Sequence, residues 1–335
     1  MKYLRLGYAM HHGLQVLTRD HALKLTHLNL AFGVIRDSLL SMEHLPALSR
    51  QLPQIREMNP AIKIVLSIGG WGAGGFSIMS RTAAGRKAFA QSVKAVLDEY
   101  QLDGVDIDWE YPCSDAAGID YHPTDKENFT LLMESMRWAA GPHRIVSIAA
   151  GGGDYFIRDT EVEKVAAICD YVQLMTYDLN CGAPVTRHHT SLYPMASSHP
   201  EGNAHYCTQL FHRAGVPLKK IVLGAAFYSR QWKGVRNKGN GLLQPAEGSG
   251  GFGPSFATLE ANYINKNGFT RFWDPVARSP YLFDGSTFIT YDDEQSIAEK
   301  CTYIRERGLL GLMYWEHSHD PSGKLLSAIE KALKE

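Results

Sequence analysis

The sequence predicts an α/β protein folded as a single (β/α)8 TIM barrel, and three observations support this. Short apolar runs rich in β-forming residues alternate with longer segments in which apolar residues recur every three or four positions, as in βαβ units. Eight such runs occur, which is the number of strands in this barrel. The length of 335 residues suits one barrel with insertions.

The eight predicted strands are distributed along the whole chain. We place them at residues 3–9, 25–34, 62–68, 104–109, 145–150, 171–177, 221–228 and 309–315. Helical periodicity is clear at residues 81–100, 126–140 and 294–307. The last of these helices has a start signal, Asp292 with Gln295 three residues on, and a stop signal, Gly308.

One segment, at about residues 233–288, interrupts this alternation. It is too long for a loop between a strand and a helix, and its glycine-rich run 248–253 is followed by aromatic residues. We predict one catalytic domain, residues 1–335, in which residues 233–288 form a small α+β insertion between strand 7 and the last helix–strand unit. The insertion is either a surface excursion with its own small core or one wall of a substrate groove.

Composition and charge exclude several classes of partner. Hydrophobic residues make up 44% of the chain and charged residues 21%, as in globular proteins. The formal net charge is -1 without a long run of one sign, and no apolar window approaches the roughly 18 to 20 residues that span a bilayer. We therefore expect no nucleic acid partner and no membrane partner. We also expect a monomer.

The cysteines and the N-terminal residues are relevant to the cellular compartment of the protein. The five cysteines are scattered and lack CxxC spacing, so we expect most of them to be reduced. No apolar stretch of signal-peptide length precedes the first predicted strand. The localisation stays open between the cytoplasm and a mature, processed or non-classically secreted form.

The most informative segment is residues 103–112, where three acids alternate with apolar residues. In a strand, side chains two residues apart share a face, so Asp106, Asp108 and Glu110 form a row at about 6 to 7 Å spacing. Glu110 comes last, just before Pro112, and barrel enzymes keep their active sites at the carboxyl ends of the strands. Glu110 is therefore predicted to lie at the barrel mouth.

Such a row has a functional and a structural interpretation. Three carboxylates this close cannot all ionise at low cost, so at least one should keep a proton, as a general acid must. On an edge strand the row would only be a solvated face. Inside a barrel it would cost several kcal/mol, which favours a functional reason.

The pattern Asp-x-x-Asp-x-Asp-x-Glu, formed by Asp103, Asp106, Asp108 and Glu110, resembles the signature of the family 18 glycoside hydrolases, the chitinases. Other predicted strands resemble the family in the same order, so that the resemblance covers nearly the whole chain. The matching positions are Tyr8, Asn-Leu-Ala-Phe at 29–32, Ser-Ile-Gly-Gly-Trp at 67–71, Met-Thr-Tyr-Asp at 175–178, Phe-Tyr-Ser-Arg at 227–230 and Trp315. The segments 280–282 and 288–293 resemble the end of an insertion domain found in one branch of the family.

The resemblance implies hydrolysis of β-1,4 linkages between N-acetylglucosamine units of chitin or chitooligosaccharides, with retention by substrate-assisted catalysis. Glu110 would protonate the leaving oxygen while the acetamido group of the sugar attacks its own anomeric carbon. Asp108 would accept the acetamide N–H, and Asp106 would share a proton with Asp108. Tyr177 would donate a hydrogen bond to the acetamido oxygen.

The resemblance also implies a set of substrate-binding residues. Trp315 would form the floor beneath the reacting sugar, and Asp178 and Met175 would line it, although methionine is also a common core residue. Trp71 would stack on a more distant sugar on the non-reducing side. Tyr228 and Arg230 would contact the substrate, Arg230 with ion pairing as the alternative. Tyr111 completes the set with Tyr8 and Phe32, whose positions are also typical of core residues. Structural roles fall to Asp103, Ser67, Gly69 and Gly70.

No metal or cofactor is expected. His317 and His319 have no third ligand at a suitable spacing, and the implied chemistry needs no metal, so we interpret both as surface histidines.

Three alternatives stay open. The first is a chitin-binding lectin of the same fold that has lost activity, although such proteins typically lack the acid that Glu110 supplies here. The second is an endo-β-N-acetylglucosaminidase or peptidoglycan hydrolase that uses the same strand. The third is an unrelated barrel enzyme that uses the acids as metal ligands and would be inhibited by chelators.

Overall fold

The computed structural model describes residues 3–195 and 201–334. The strands in this part of the chain are β1 (Leu4–Ala9), β2 (His27–Arg36), β3 (Leu39–Ser41), β4 (Lys63–Gly69), β5 (Gly104–Asp108), β6 (Ile145–Gly151), β7 (Tyr171–Met175), β8 (Ile221–Ala226), β9 (Tyr228–Trp232), β10 (Gly251–Ser255), β11 (Thr270–Asp274), β12 (Ser279–Phe283), β13 (Phe288–Thr290) and β14 (Gly311–Trp315). The α-helices are α1 (His11–Gln15), α2 (Arg19–Lys24), α3 (Leu48–Met58), α4 (Phe76–Ser80), α5 (Ala83–Glu99), α6 (Asp125–Ala140), α7 (Asp154–Asp159), α8 (Val162–Ile168), α9 (Ala204–Arg213), α10 (Phe256–Asn262), α11 (Glu294–Arg307) and α12 (Lys324–Leu333).

Eight of these strands form a closed parallel sheet. Around the sheet the order is β1, β2, β4, β5, β6, β7, β8 and β14, and β14 pairs again with β1. All eight strands are parallel, so their carboxyl ends meet at one rim, where barrel enzymes place their active sites. The predicted (β/α)8 barrel is confirmed.

Strand β5 shows how the sequence divides between the two faces of this sheet. Val105 and Ile107 are fully buried in the core between the sheet and the helices. Asp106 and Asp108 alternate with them and therefore point into the barrel. The parallel register aligns Asp106 with Ser67 on β4 and Ser147 on β6, so a polar layer lies inside the barrel at this height.

A second, antiparallel sheet is formed by the part of the chain between β8 and α11. Its order is β10, β9, β13, β12 and β11, and it has a small hydrophobic core of its own. The first strand of this sheet begins at Tyr228 and the last one along the chain ends at Thr290. The limits 233–288 for a separate insertion domain stay a prediction. The predicted strand 221–228 was too long, because β8 ends at Ala226 and Tyr228 begins β9. One apolar run continues through both strands and hides the break.

Helix α11 spans the predicted residues 294–307, but its N-cap lies one residue later than the sequence signal indicates. The N-cap is Asp293, whose carboxylate accepts hydrogen bonds from the backbone N–H groups of Gln295 and Ser296. Asp292 is buried and pairs instead with Lys300. Gly308 ends the helix in the left-handed conformation, at φ 67°, that glycine adopts without strain.

Two further properties concern the described chain as a whole. The cysteines Cys113, Cys169, Cys181, Cys207 and Cys301 are free thiols, and three of them are buried. Within residues 3–195 and 201–334, no helix combines the length and the apolar character needed to cross a bilayer.

Candidate active site

The three acids on and just after β5 lie in the barrel interior towards its mouth. Asp106 is fully buried, Asp108 is 4% exposed and Glu110 is 9% exposed. Exposure therefore increases in chain order towards the carboxyl end of β5. Of the three, Glu110 is the most accessible to a ligand that arrives from the mouth.

Asp106 is the centre of a buried hydrogen-bond network. Its Oδ2 accepts bonds of 2.8 Å from the hydroxyls of Tyr8 and Ser67, and its Oδ1 accepts bonds from Ser147 at 2.7 Å and from the Gln173 amide at 2.8 Å. Burial raises the pKa of Asp106, whereas these four bonds oppose the rise. Four strands thus hold this carboxyl group in one position.

Asp108 is buried without comparable support. Its Oδ1 has no hydrogen-bond partner among the described residues. Burial raises the pKa of Asp108 well above its usual value, and the nearby charges of Glu110 and Asp106 raise it further. An uncompensated acceptor in such a site favours a retained proton and is ready to accept a bond from a ligand.

Glu110 combines burial with a pKa near neutrality. Burial raises the pKa of Glu110 to about 7; a hydrogen bond with Tyr111 lowers it and the charge of Asp178 raises it. A carboxyl group with such a pKa is partly protonated at neutral pH. It can therefore both donate and accept a proton, as acid–base catalysis requires.

Asp178 faces this cluster from the end of β7 and is held ionised. Arg230 donates from Nε to its Oδ1 at 2.6 Å, and His189 Nδ1 lies 3.6 Å from the same oxygen. Burial raises the pKa of Asp178, but the nearby His189 and the hydrogen bond from Arg230 outweigh this and hold it well below its usual value. Next to Asp178, Tyr177 is half-buried with its hydroxyl 3.9 Å from the sulfur of Met313.

Aromatic side chains surround the carboxylates. Trp315, at the end of β14, stacks on Phe32 with 5.4 Å between ring centroids and an angle of 19°. The ring centroid of Tyr8 lies 5.8 Å from that of Trp315, but Tyr8 is only 2% exposed and its hydroxyl donates a hydrogen bond to Asp106. This position favours a supporting role for Tyr8, whereas Trp315 and Phe32 are half-buried and accessible.

A second aromatic group lies beside Glu110. Trp71 is 64% exposed, and its ring centroid is 6.3 Å from that of Tyr111. Tyr111 also contacts Tyr155 at 5.0 Å. An exposed indole next to an acid at a barrel mouth offers a flat apolar surface to a ligand.

The chain is similar to known proteins along nearly its whole length. The family model "Glycosyl hydrolases family 18" matches residues 6–320. The chain belongs to this family. Chitinase A1 of Niallia circulans is 40% identical over 309 residues, which cover 84% of this chain and 44% of the relative. Chitotriosidase-1 of Mus musculus is 30% identical over 87% of this chain and 66% of the relative, so the chain spans less than two thirds of either protein.

Solved structures show the same relationship. A family 18 N-acetylglucosaminidase from Paenibacillus barengoltzii superposes with a TM-score of 0.95 at 47% identity, covering 98% of this chain and 99% of that chain. Chitinase ChiA74 from Bacillus thuringiensis superposes with a TM-score of 0.90 at 29% identity, covering all of this chain and 70% of that chain.

The remaining residues predicted for this family 18 protein lie in or below the site. Met175 and Tyr228 are 8% and 5% exposed. Gly69 and Gly70 have φ values of +123° and +92°, and a Cβ on Gly69 would overlap the carbonyl oxygen of Asp108. Glycine is therefore required where β4 ends against β5.

Two predicted features lie outside the cluster. Asp103 is at the opposite end of β5, where it accepts bonds from Lys63 and from the backbone of Ile64. The interpretation of His317 as a surface residue was wrong, because it is 1% exposed and its Nδ1 lies 2.9 Å from the Tyr314 hydroxyl. His317 begins a short 3-10 helix (His317–His319) after β14, and its ring centroid lies 5.0 Å from that of His21 and 6.2 Å from that of Tyr314.

Four residues in contact with the site were missed. Ser147 and Gln173 bind Asp106, His189 contacts Asp178, and Phe252 packs on Arg230. A sequence signal existed for Gln173, a polar residue in an otherwise apolar strand two positions before Met175 and on the same face. His189 and Phe252 lie in segments without clear periodicity, so no comparable signal marked them.

Proposed function

We propose that this protein hydrolyses β-1,4 linkages between N-acetylglucosamine units of chitin or chitooligosaccharides. The chitinases among its relatives support this substrate class. The observation that carries the proposal is Glu110, a carboxyl group at the barrel mouth with its pKa raised to about 7 by burial, two residues after the buried Asp108. This supports Glu110 as the proton donor and Asp108, whose Oδ1 has no partner among the described residues, as an acceptor.

The proposed reaction has two steps. Glu110 gives its proton to the glycosidic oxygen as the bond from that oxygen to C1 breaks, and the acetamido carbonyl oxygen of the same sugar bonds to C1 to form an oxazolinium ion. Water then attacks C1 and returns its proton to the Glu110 carboxylate while the ring opens. The product is the β-anomer, since two inversions at C1 give retention.

Each neighbouring residue has a proposed part in this reaction. Asp108 accepts the acetamide N–H through its unpartnered oxygen and opposes the positive charge that develops on the ring. Asp106 shares a proton with Asp108 and takes it up when the substrate binds, so that Asp108 is ionised while it faces the ring. Its four hydrogen bonds keep Asp106 in place. Tyr177 donates to the acetamido oxygen, and Trp315 supports the apolar face of the sugar.

The experiment is hydrolysis of chitotetraose by the wild type and by Glu110→Gln, with product anomers followed by NMR in the presence of EDTA. Release of β-anomers by the wild type alone supports a retaining, metal-independent enzyme with Glu110 as the acid. Initial release of α-anomers would reject substrate assistance. Binding without cleavage by both proteins would favour the lectin, and inhibition by EDTA would favour a metal enzyme.

A second candidate is the release of single N-acetylglucosamine residues. The Paenibacillus barengoltzii relative, an N-acetylglucosaminidase that matches over nearly the full length of both chains, favours it. The product series from chitohexaose separates the two candidates, because a chain-end enzyme forms monomer from the first turnover and an internal one forms longer fragments. Parallel assays on N-glycans and peptidoglycan test the remaining alternatives.

A further inference from the structure

Phe252 is an exposed aromatic residue close to the candidate site. It lies on β10 of the second sheet and is 69% exposed. Single exposed apolar residues are common on protein surfaces and by themselves indicate nothing. The position of Phe252 relative to Arg230 and Tyr228 makes it more informative.

The strand register fixes the direction in which Phe252 points. Phe252 pairs directly with Arg230 of the neighbouring antiparallel strand β9. Side chains of directly paired residues lie on the same face of a sheet. Tyr228, two residues before Arg230, shares that face, and its ring centroid is 6.1 Å from that of Tyr177.

The contacts of the Phe252 ring leave one of its faces open. The guanidinium carbon of Arg230 lies 3.6 Å from the ring centroid and covers one face. The ring of Tyr228 lies 6.0 Å away at an angle of 45° and therefore contacts the ring without stacking on it. The exposed area thus belongs largely to the opposite face, which Arg230 holds in a fixed orientation.

We propose that this open face is a stacking platform for a further N-acetylglucosamine unit of the bound chain, and that Phe252 thereby sets the preferred chain length. The inference rests on the proposed function and extends it to a residue of the second sheet. A pyranose has an apolar face of C–H groups and a rim of hydroxyls. Phe252 matches the face, and the adjacent Arg230 and Asp178 provide a donor and an acceptor for the rim.

The experiment compares Phe252→Ala and Phe252→Trp with the wild type on chitooligosaccharides of two to six units. We expect KM of Phe252→Ala to rise by about threefold to tenfold for the longest chains, the size of one aromatic stacking contact, and progressively less for shorter ones. Phe252→Trp should restore the preference for long chains. Val276→Ala, which shortens a similarly exposed apolar side chain (62%) in the same part of the chain, is the control.

Binding of the same oligomers in the Glu110→Gln background separates this inference from the proposed function. If the Glu110→Gln protein binds the oligomers but the wild type does not cleave them, the proposed function fails. The dependence of the dissociation constant on chain length still decides the role of Phe252. An equal loss for every chain length, or a fall in kcat alone, would mean that Phe252 acts only by holding Arg230 against Asp178. Either result, or no change at all, overturns the inference.

Discussion

The environment of Glu110 determines how activity should depend on pH. The general acid must carry its proton, and burial raises the pKa of Glu110 to about 7. The protonated form therefore predominates below this pH and is lost as pH rises through it. We expect kcat/KM for chitotetraose to fall on the alkaline side with a midpoint near 7.

Tyr111→Phe provides a test of the assignment. The hydrogen bond with Tyr111 lowers the pKa of Glu110, so its removal should move the alkaline limb to higher pH. An alkaline limb that lies above pH 9 in the wild type, or one that does not move in the variant, would contradict Glu110 as the titrating acid.

Asp108 is predicted to assist the reaction without being needed for folding. Asp108→Asn keeps the shape of the side chain but removes the charge that stabilises a cationic transition state, and we expect turnover to fall by at least about tenfold. The thermal unfolding midpoint should not fall, since the variant no longer buries a titratable carboxyl group whose Oδ1 lacks a partner. Asp103→Asn at the far end of the strand is the control, and its turnover should match the wild type. Unchanged turnover of Asp108→Asn would refute the role.

Among the individual site residues, the sequence predicted those whose positions depend on local geometry. Asp106, Asp108 and Glu110 were found because alternation along one strand fixes their common face. The hydrogen bond of Gln173 to Asp106 joins residues 67 positions apart, and the contact of Phe252 with Arg230 depends on a strand pairing that alternation does not reveal. Such contacts depend on how separate elements pack.

Helix α11 is fixed to the barrel by a buried ion pair. Lys300 Nζ lies 2.6 Å from Asp292 Oδ2 and 2.7 Å from the Thr190 hydroxyl, and both charged side chains are fully buried. Asp292 also accepts a bond from the backbone N–H of Ala226 at the end of β8. The pair therefore joins the helix to the strand end and to the segment that carries Thr190.

Removal of the cation should destabilise the fold strongly. Lys300→Met leaves Asp292 buried without its counter-ion, and we expect a loss of about 3 kcal/mol in the free energy of unfolding by urea denaturation. Lys94→Met is the control, because its pair with Asp98 is about half exposed and should contribute less than about 1 kcal/mol. Equal losses in the two variants would show that burial of the Lys300 pair is not decisive.

The same ion pair explains why the sequence indicated the wrong N-cap residue for α11. Asp292 and Asp293 are adjacent acids before a helix, and either satisfies the sequence rule for an N-cap. Only the three-dimensional position of Lys300 assigns Asp292 to the ion pair and leaves Asp293 as the cap. Elements are thus predictable from periodicity, whereas their first residues depend on long-range partners.

The closed barrel brings together residues that are far apart in the chain. Glu110 follows β5, Asp178 follows β7, and Trp315 ends β14, yet parallel strands place all three at one rim. The sequence predicted the rim from the order of the strands. It could not give the orientation of the second sheet, because that depends on the pairing of β9 with β10 and β13.

The charge of the whole molecule predicts a weak response to salt. The formal net charge is -1, and the proposed substrate is uncharged, so long-range attraction should contribute little to association. The ionised groups of the site act at short range within the barrel mouth, where mobile ions screen them less than on an open surface. We expect kcat/KM for chitotetraose to change by less than about twofold between roughly 50 and 500 mM NaCl. A steep fall, by about tenfold or more as for a polyanionic ligand, would contradict recognition of a neutral sugar chain.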